Sequence, residues 1–344
     1  MLCYLSASHF FALVFTLSAA QFPSTTTLRH NLLPFPFPPS PNAFGLFPFN
    51  PMLLTIWNRV TIVGCGLIGA SFALALRQNN LCSEIAAWDT DQNALDRALE
   101  LGIIDEIDHK VGDDNATHSD SDLYYLAMPV RGIIAFLKER SSRTKPGAVI
   151  TDAGSTKSDI CLTAASYVPN DRHFIAGHPL AGSHHSSLEY SRGDLFNNAV
   201  YLVIAGENEP QSTPLSMLTA TLKRIGAQVQ YLDVSEHDRR MAMISHLPQL
   251  ISSALVASAL EQLDPQLLPD LAGAGFRDMS RLAASPWSMW QDILLTNAGP
   301  VADALDIFIS KLNDVRDELS FHSVNGETDL AHSRALFGLL ESKS

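Results

Sequence analysis

From Arg59 onward, short runs of β-branched and apolar residues alternate with stretches in which apolar positions recur every three or four residues. The runs are "RVTIVG", "EIAAWD", "DLYYLAM", "GAVITDAG", "HFIAG", "AVYLVIAG" and "QVQYLD", and each reads as a strand. Helical spacing is predicted for residues 67–79, 91–101, 130–140, 156–166 and 213–225. Alternation of this kind predicts a doubly wound, Rossmann-type parallel sheet with helices on both faces. After "QVQYLDV" the strand signal stops, and residues 236–320 read as long helices. The chain therefore divides into an α/β domain over 52–234 and an all-helical domain over 235–344. Residues 241–260 are apolar around nearly the whole circumference, which indicates either a membrane span or a helix buried on every side. His246, Pro248, Gln249 and several serines argue against lipid. A small helical domain buries such a helix only against something else, so a homodimer through that domain is expected.

Composition changes the picture at the N-terminus. Across the first 51 residues Arg29 is the only charged side chain; an early "FFALVFTLSAA" is followed by the Pro/Phe-rich "LLPFPFPPSPNAFGLFPFNP", which sustains neither helix nor sheet. Two readings stand: a secretory or organellar leader, although no Lys or Arg precedes the apolar run, or a start placed upstream of the true Met52. The second is favoured, because strand, turn and helix begin together just after Met52. The net charge of -13 comes with no basic cluster, so nucleic acid is not an expected partner. Cys3, Cys65, Cys82 and Cys161 lack CxxC spacing, which suits a reduced compartment, the cytoplasm, and inert thiols.

"VTIVGCGLIGAS" sets Gly64, Gly66 and Gly69 in G-x-G-x-x-G spacing between a strand and a helix, with Leu67 and Ile68 inside the turn. The glycines permit the tight turn and close approach to a pyrophosphate, which sits at the positive end of the helix. Asp89 ends the next strand, 20 residues beyond Gly69, where a carboxylate accepts from both ribose hydroxyls and repels a 2'-phosphate. NAD is the expected cofactor, although a flavin dinucleotide fits the same turn. Met128 and Pro129 close a later strand at the same sheet edge. There "DAGSTKSD" offers Ser155, as helix cap or as a group in the cleft, and "FIAGHPLAGSHHSS" offers His178, held between Gly177 and Pro179. An imidazole held beside a nicotinamide takes an alcohol proton as a hydride leaves the same carbon. His184 and His185 are adjacent and poorly spaced to share a metal with His178, so no metal is expected.

Five motifs in order, "GCGLIGAS", "DAGSTK", "GHPLAG", "HDRRMAMISHLP" and "GFRDMSRLAASPWSMWQDI", together resemble the prephenate/arogenate dehydrogenase family of tyrosine biosynthesis, over residues 59–320. The resemblance implies NAD-dependent oxidative decarboxylation of prephenate to 4-hydroxyphenylpyruvate, with arogenate, or both substrates, as the alternative. It implies that His178 accepts the ring-hydroxyl hydrogen bond and that Ser155 orients His178 and the substrate. It further implies that Arg281 binds a substrate carboxylate with help from Arg277, that His237 and His246 edge the pocket, and that Ser285 and Trp290 reach it from a partner subunit in some members. Gln249 stands where others carry a histidine near the substrate side chain, and His184 stands where many carry a glutamate at the pocket mouth.

Two rival readings remain at this level. A β-hydroxyacid dehydrogenase needs a catalytic lysine on its helical domain, and from residue 236 on only Lys311 and Lys343 are present. A non-catalytic NAD sensor has no use for Ser155, His178 and Arg281 converging on one pocket.

Overall fold

β1 (Trp57–Val63) runs through the centre of the sheet, and its Val60, Ile62 and Val63 are fully buried because helices cover both faces. After it come α1 (Leu67–Gln78), β2 (Cys82–Trp88), α2 (Gln92–Glu100), the two-residue β3 (Glu106–Ile107) and the short α3 (His109–Gly112). β4 (Leu123–Leu126), α4 (Val130–Glu139), β5 (Val149–Asp152), α5 (Ser158–Tyr167) and β6 (His173–Ile175) complete a six-stranded parallel sheet. Its order, β3-β2-β1-β4-β5-β6, is that of a doubly wound dinucleotide fold, with the switch point between β1 and β4. The computed structural model describes residues 55–112, 119–182, 187–205 and 212–320; the segment 1–51, with its two readings, lies outside them, as do His184 and His185.

The expected single sheet is in fact two. The run "HFIAG" breaks at Ala176, and β7 (Gly177–Pro179) opens a separate sheet with β8 (Val200–Ile204) and β9 (Gln228–Leu232). In it β7 pairs antiparallel with β8, and β8 parallel with β9. The reversal is a matter of long-range pairing: His178 pairs with Leu202 on the neighbouring strand β8, and nothing local in the run signals it. α6 (Thr213–Arg224) is capped by the Ser212 hydroxyl and lies against this body, where the Trp57 indole donates to Thr221 at 2.9 Å. Phe72 stacks on Tyr125 with ring centres 3.8 Å apart, locking α1 onto β4. Cys65, Cys82 and Cys161 are free thiols, pushed up by burial to about 12, 11 and 12, so none is a thiolate at neutral pH.

The remainder is helical. α7 (Val234–Met241), capped by the Asp233 carboxylate on the Glu236 amide at 2.8 Å, passes through a π-turn (Ala242–His246) into α8 (Leu247–Gln262). Pro248 accounts for the turn, since it has no N–H to offer the preceding carbonyls and its ring pushes them aside. α9 (Leu268–Leu271), α10 (Ala274–Ser280), a 3₁₀ turn (Arg281–Ala284), α11 (Trp287–Thr296) and α12 (Ala298–Ser320) follow. By itself this part has a small core, centred on Ala242, Leu247, Val301 and Ala304. Of α8 only Leu247, Gln249 and Ser252 are buried, whereas Met243, Ile244, Leu260, Trp287, Leu295, Ile307 and Leu312 are exposed. The apolar helix of the sequence is thus not enclosed by its own chain. Residues Val234–Gln262 have the length and composition of a membrane span, but polar bonds from Asp238, described below, fix this rod to the sheet part.

Candidate active site

The edge of the large sheet between β1 and β4 is shaped by two close approaches. A Cβ on Gly64, whose φ is +99°, would lie 2.5 Å from the Ala127 carbonyl oxygen, and one on Gly69 only 2.0 Å from that of Gly64. Only glycine allows the strand, the turn and α1 to pack this tightly. Gly66 is the N-cap of α1, where no side chain caps the helix and no acidic residue occupies the first turn. The amides of Leu67, Ile68 and Gly69 therefore face outward at the positive helix end, as an anion requires. Asp89 follows β2, and its carboxylate takes the Cys65 amide at 2.6 Å and the Asp91 amide at 2.9 Å, which holds it against the glycine turn. Met128 and Pro129 stand across the switch point, Pro129 as the N-cap of α4. The residues present fit a dinucleotide with an unphosphorylated ribose.

Beside this edge the chain from β5 to α5 is built on a buried ion pair. Asp152 and Lys157 are both fully buried and bonded to each other. The Lys157 ammonium also donates to the Gly177 carbonyl at 2.6 Å, while Asp152 accepts the Gly177 amide at 3.1 Å and the Gly154 amide at 2.9 Å. The pair thus holds both backbone groups of the residue before His178. His178 itself is inside β7, not beyond a strand end as the sequence suggests, and it is half-buried. Its Nδ1 lies 2.8 Å from Nε2 of His237 on α7, and His237 Nδ1 lies 2.9 Å from Asp238 Oδ1.

Asp238 does two things at once. Besides meeting His237, its carboxylate accepts the amides of Lys157 and Ser158, each at 2.8 Å, and the Ser158 hydroxyl at 2.5 Å. It thereby caps α5 from another element, which is why Ser155 is not the cap: α5 starts at Ser158, and Ser155 stays half-buried in the preceding loop. The expected Ser155 to His178 contact is likewise absent among the described residues, because the orienting nitrogen of His178 is turned to His237.

A second arm continues from Asp238. Asn297 donates to the Asp238 carbonyl at 2.9 Å and lies 3.1 Å from His246 Nδ1; His246 meets the edge of Trp290 of the same chain, with ring centres 6.0 Å apart. One turn beyond, Gln249 is buried, and its side-chain oxygen has no hydrogen-bond partner among the described residues. Arg281 is exposed on the 3₁₀ turn, which a bond from the Ala283 amide to the Ser252 hydroxyl at 2.9 Å fixes to α8. Arg277 is exposed and donates to the Ala272 carbonyl, and the Ser285 amide closes the 3₁₀ turn on Leu282. Two further bonds join the helices to the cofactor edge: Asp292 accepts the Arg131 amide at 3.2 Å, and Thr156 and Thr296 share a bond of 2.7 Å.

Electrostatics keep the imidazoles neutral. Burial, then the neighbouring His237, Lys157 and His246, hold His178 well below the usual histidine range. His237 is lowered by burial, against the pull of Asp238, and burial lowers His246 to about 4. Burial alone would raise Asp238, but the bonds from His237, Ser158 and the two amides outweigh it and hold the acid below its ordinary value. No group of three His, Cys, Asp or Glu side chains converges as for a metal ion among the described residues. The arrangement provides a neutral acceptor beside a dinucleotide edge. Lys157, Asp238 and Asn297 are the side chains of this hydrogen-bonded network that sequence reasoning missed; the adjacent His-Asp in "EHDRR" was the available signal for Asp238.

Most of the described chain is similar to known proteins. The family model described as "Prephenate dehydrogenase, nucleotide-binding domain" matches residues 72–231, and "Prephenate dehydrogenase, dimerization domain" matches 233–333. The chain is 32% identical over 262 residues to a prephenate dehydrogenase of Bacillus subtilis, covering 75% of this chain and 69% of that protein. It is 28% identical over 282 residues to a cyclohexadienyl dehydrogenase of Zymomonas mobilis, 81% of this chain and 94% of that one. Among solved structures, prephenate dehydrogenase from A. aeolicus, in complex with hydroxyphenyl propionate and NAD+, superposes with a TM-score of 0.74 at 27% identity, over 82% of this chain and 97% of that one.

Proposed function

Since the chain belongs to the prephenate dehydrogenase family, we propose that it oxidises and decarboxylates prephenate to 4-hydroxyphenylpyruvate with NAD, as a soluble cytoplasmic enzyme of tyrosine biosynthesis. The observation that carries the reading is the anchoring of His178: one ring nitrogen is bound to His237 at 2.8 Å, which leaves the other for a substrate hydroxyl. NAD, when bound, supplies the hydride acceptor. Gly64, Gly66, Leu67, Ile68 and Gly69 hold its pyrophosphate, Asp89 its ribose, and Met128 and Pro129 border it. Functionally the chain divides into 52–234 for the cofactor and 235–344 for substrate contacts and dimerisation.

On the substrate side His178 takes the ring-hydroxyl proton, and Ser155, from the loop before α5, orients the ring. Arg281 grips a carboxylate with its planar fork and Arg277 adds charge at the mouth. His237, His246, Gln249, Ser285 and Trp290 shape the rest. Arogenate, or both substrates, is the alternative: the Gln249 amide accepts from an ammonium or donates to a keto group, and so admits either side chain. The exposed Ile244, Trp287, Leu295 and Ile307 support a homodimer through the helices.

A steady-state assay with prephenate and arogenate, each with NAD and NADP, tests the reading. Turnover with prephenate and NAD is expected, and His178→Asn should lower kcat by roughly two to four decades with NAD affinity little changed. Absence of turnover with every pairing, or near-normal turnover in the variant, overturns it.

A further inference from the structure

The hydrogen bonds around Asp238 have a direction, and it propagates to the reacting atom. Four donors converge on its carboxylate: the Lys157 amide and His237 Nδ1 on one oxygen, the Ser158 amide and hydroxyl on the other. An ionised carboxylate only accepts, so His237 carries its proton on Nδ1. A neutral imidazole has one N–H, which makes His237 Nε2 an acceptor. It faces His178 Nδ1 at 2.8 Å, so His178 donates from Nδ1, and the lone pair of its Nε2 is the one presented to substrate.

Building on the proposed dehydrogenase activity, we propose that His237 and Asp238 are positioning residues that fix the tautomer of His178 and hold the proton it takes until the ring aromatises. The atoms balance without release of a proton. The substrate O–H bond breaks and its proton goes to His178 Nε2. The oxygen pair forms the C=O bond while the C–H pair leaves as hydride to NAD. The bond to the ring carboxylate then breaks, carbon dioxide departs, and its electron pair aromatises the ring and leaves the oxygen as phenolate. His178 returns the proton to that oxygen. A borrowed proton needs a reservoir rather than an exit, and the hydrogen-bonded chain ends at a buried carboxylate closed by two backbone amides. The charged neighbours of the imidazole pair fit this role: Asp238 stabilises the cation, and Asp152 offsets Lys157.

The test is nitrogen NMR of the full-length protein with ¹⁵N-labelled histidine, before substrate is added. His178, assigned through loss of its signals in His178→Asn, should show a protonated Nδ1 and a bare Nε2. In Asp238→Ala the acceptor that fixes His237 is gone, the chain loses its direction, and His178 should populate the Nε2-protonated form as well. Turnover should then fall by about a thousandfold or more, as for a misoriented base in a related triad, with the substrate KM and NAD affinity changed less than about threefold. An Nε2-protonated His178 in the native enzyme overturns the proposal even if no variant folds. So does an Asp238→Ala protein that keeps the native tautomer alone and loses only stability, since a helix cap alone would do that. The resting tautomer is read without turnover: an Nδ1-protonated enzyme inactive on both substrates would sink the functional reading and leave the tautomer assignment standing.

Discussion

Replacing Lys157 by methionine keeps most of the buried stem and removes one charge and two hydrogen bonds. Asp152 would then be fully buried with only the Gly154 and Gly177 amides to satisfy it, and the Gly177 carbonyl would lose its donor. Removing one partner of a buried pair costs about 3–5 kcal/mol, because the remaining charge is stranded. On a chain of this size that corresponds to a fall in Tm on the order of 10 °C. Asp152→Asn should recover part of the loss when combined with Lys157→Met, since the double variant buries no charge; the two changes will be non-additive by roughly 1–3 kcal/mol. Because Gly177 adjoins His178, kcat should also fall in the single variant. Chemical and thermal unfolding of wild type and the three variants, at one protein concentration so that association is constant, gives the energies. A Lys157→Met protein within about 1 kcal/mol of wild type would refute the reasoning, because it would mean that water or another group reaches Asp152.

Other expectations are more direct. Arg281→Ala should raise the KM for substrate about tenfold or more while kcat changes little; a fall in kcat alone would remove the carboxylate-binding role. Asp89→Ser should relax the preference for NAD over NADP, measured as the ratio of kcat/KM values, and an unchanged ratio would count against ribose binding. The stability profile should slope with pH. His246 titrates at about 4 in the fold against an ordinary 6.5, so the unfolded chain takes up a proton that the fold refuses. Stability from this source is complete above pH 6.5 and declines toward pH 4, by about 3 kcal/mol in all. The slope should flatten in His246→Gln, as followed by denaturant unfolding at several pH values, and an equal slope in that variant would contradict it.

Much of the cofactor side was legible because its determinants are local. The glycine turn, the strands on either side of it and Asp89 lie within one βαβ unit, and five helices form within two residues of the expected bounds. The substrate side depends on contacts made far along the chain, and there local patterns run out. Nothing in "HFIAG" foretells that its last residue leaves one sheet for another. Lys157 stands in a motif whose serine is the obvious candidate, and its burial is decided by Asp152 and Gly177 together, 5 and 20 residues away. Asp238 caps a helix that starts 80 residues earlier, so no capping rule applied to the sequence finds it. His237, which the resemblance sets at the edge of the pocket, is the immediate partner of His178.

The cap on α5 also bears on how the molecule folds. The strand-and-helix part supplies the start of α5 but not the acceptor for its first amides; that acceptor arrives with α7. Until the two meet, the loop carrying Ser155 has one end unfastened and His178 has no partner to set its proton. Docking of the helical part is therefore the event that completes the surroundings of His178 and the start of α5. A chain cut between β9 and α7 would lack both the acceptor for the first amides of α5 and the ring that meets His178.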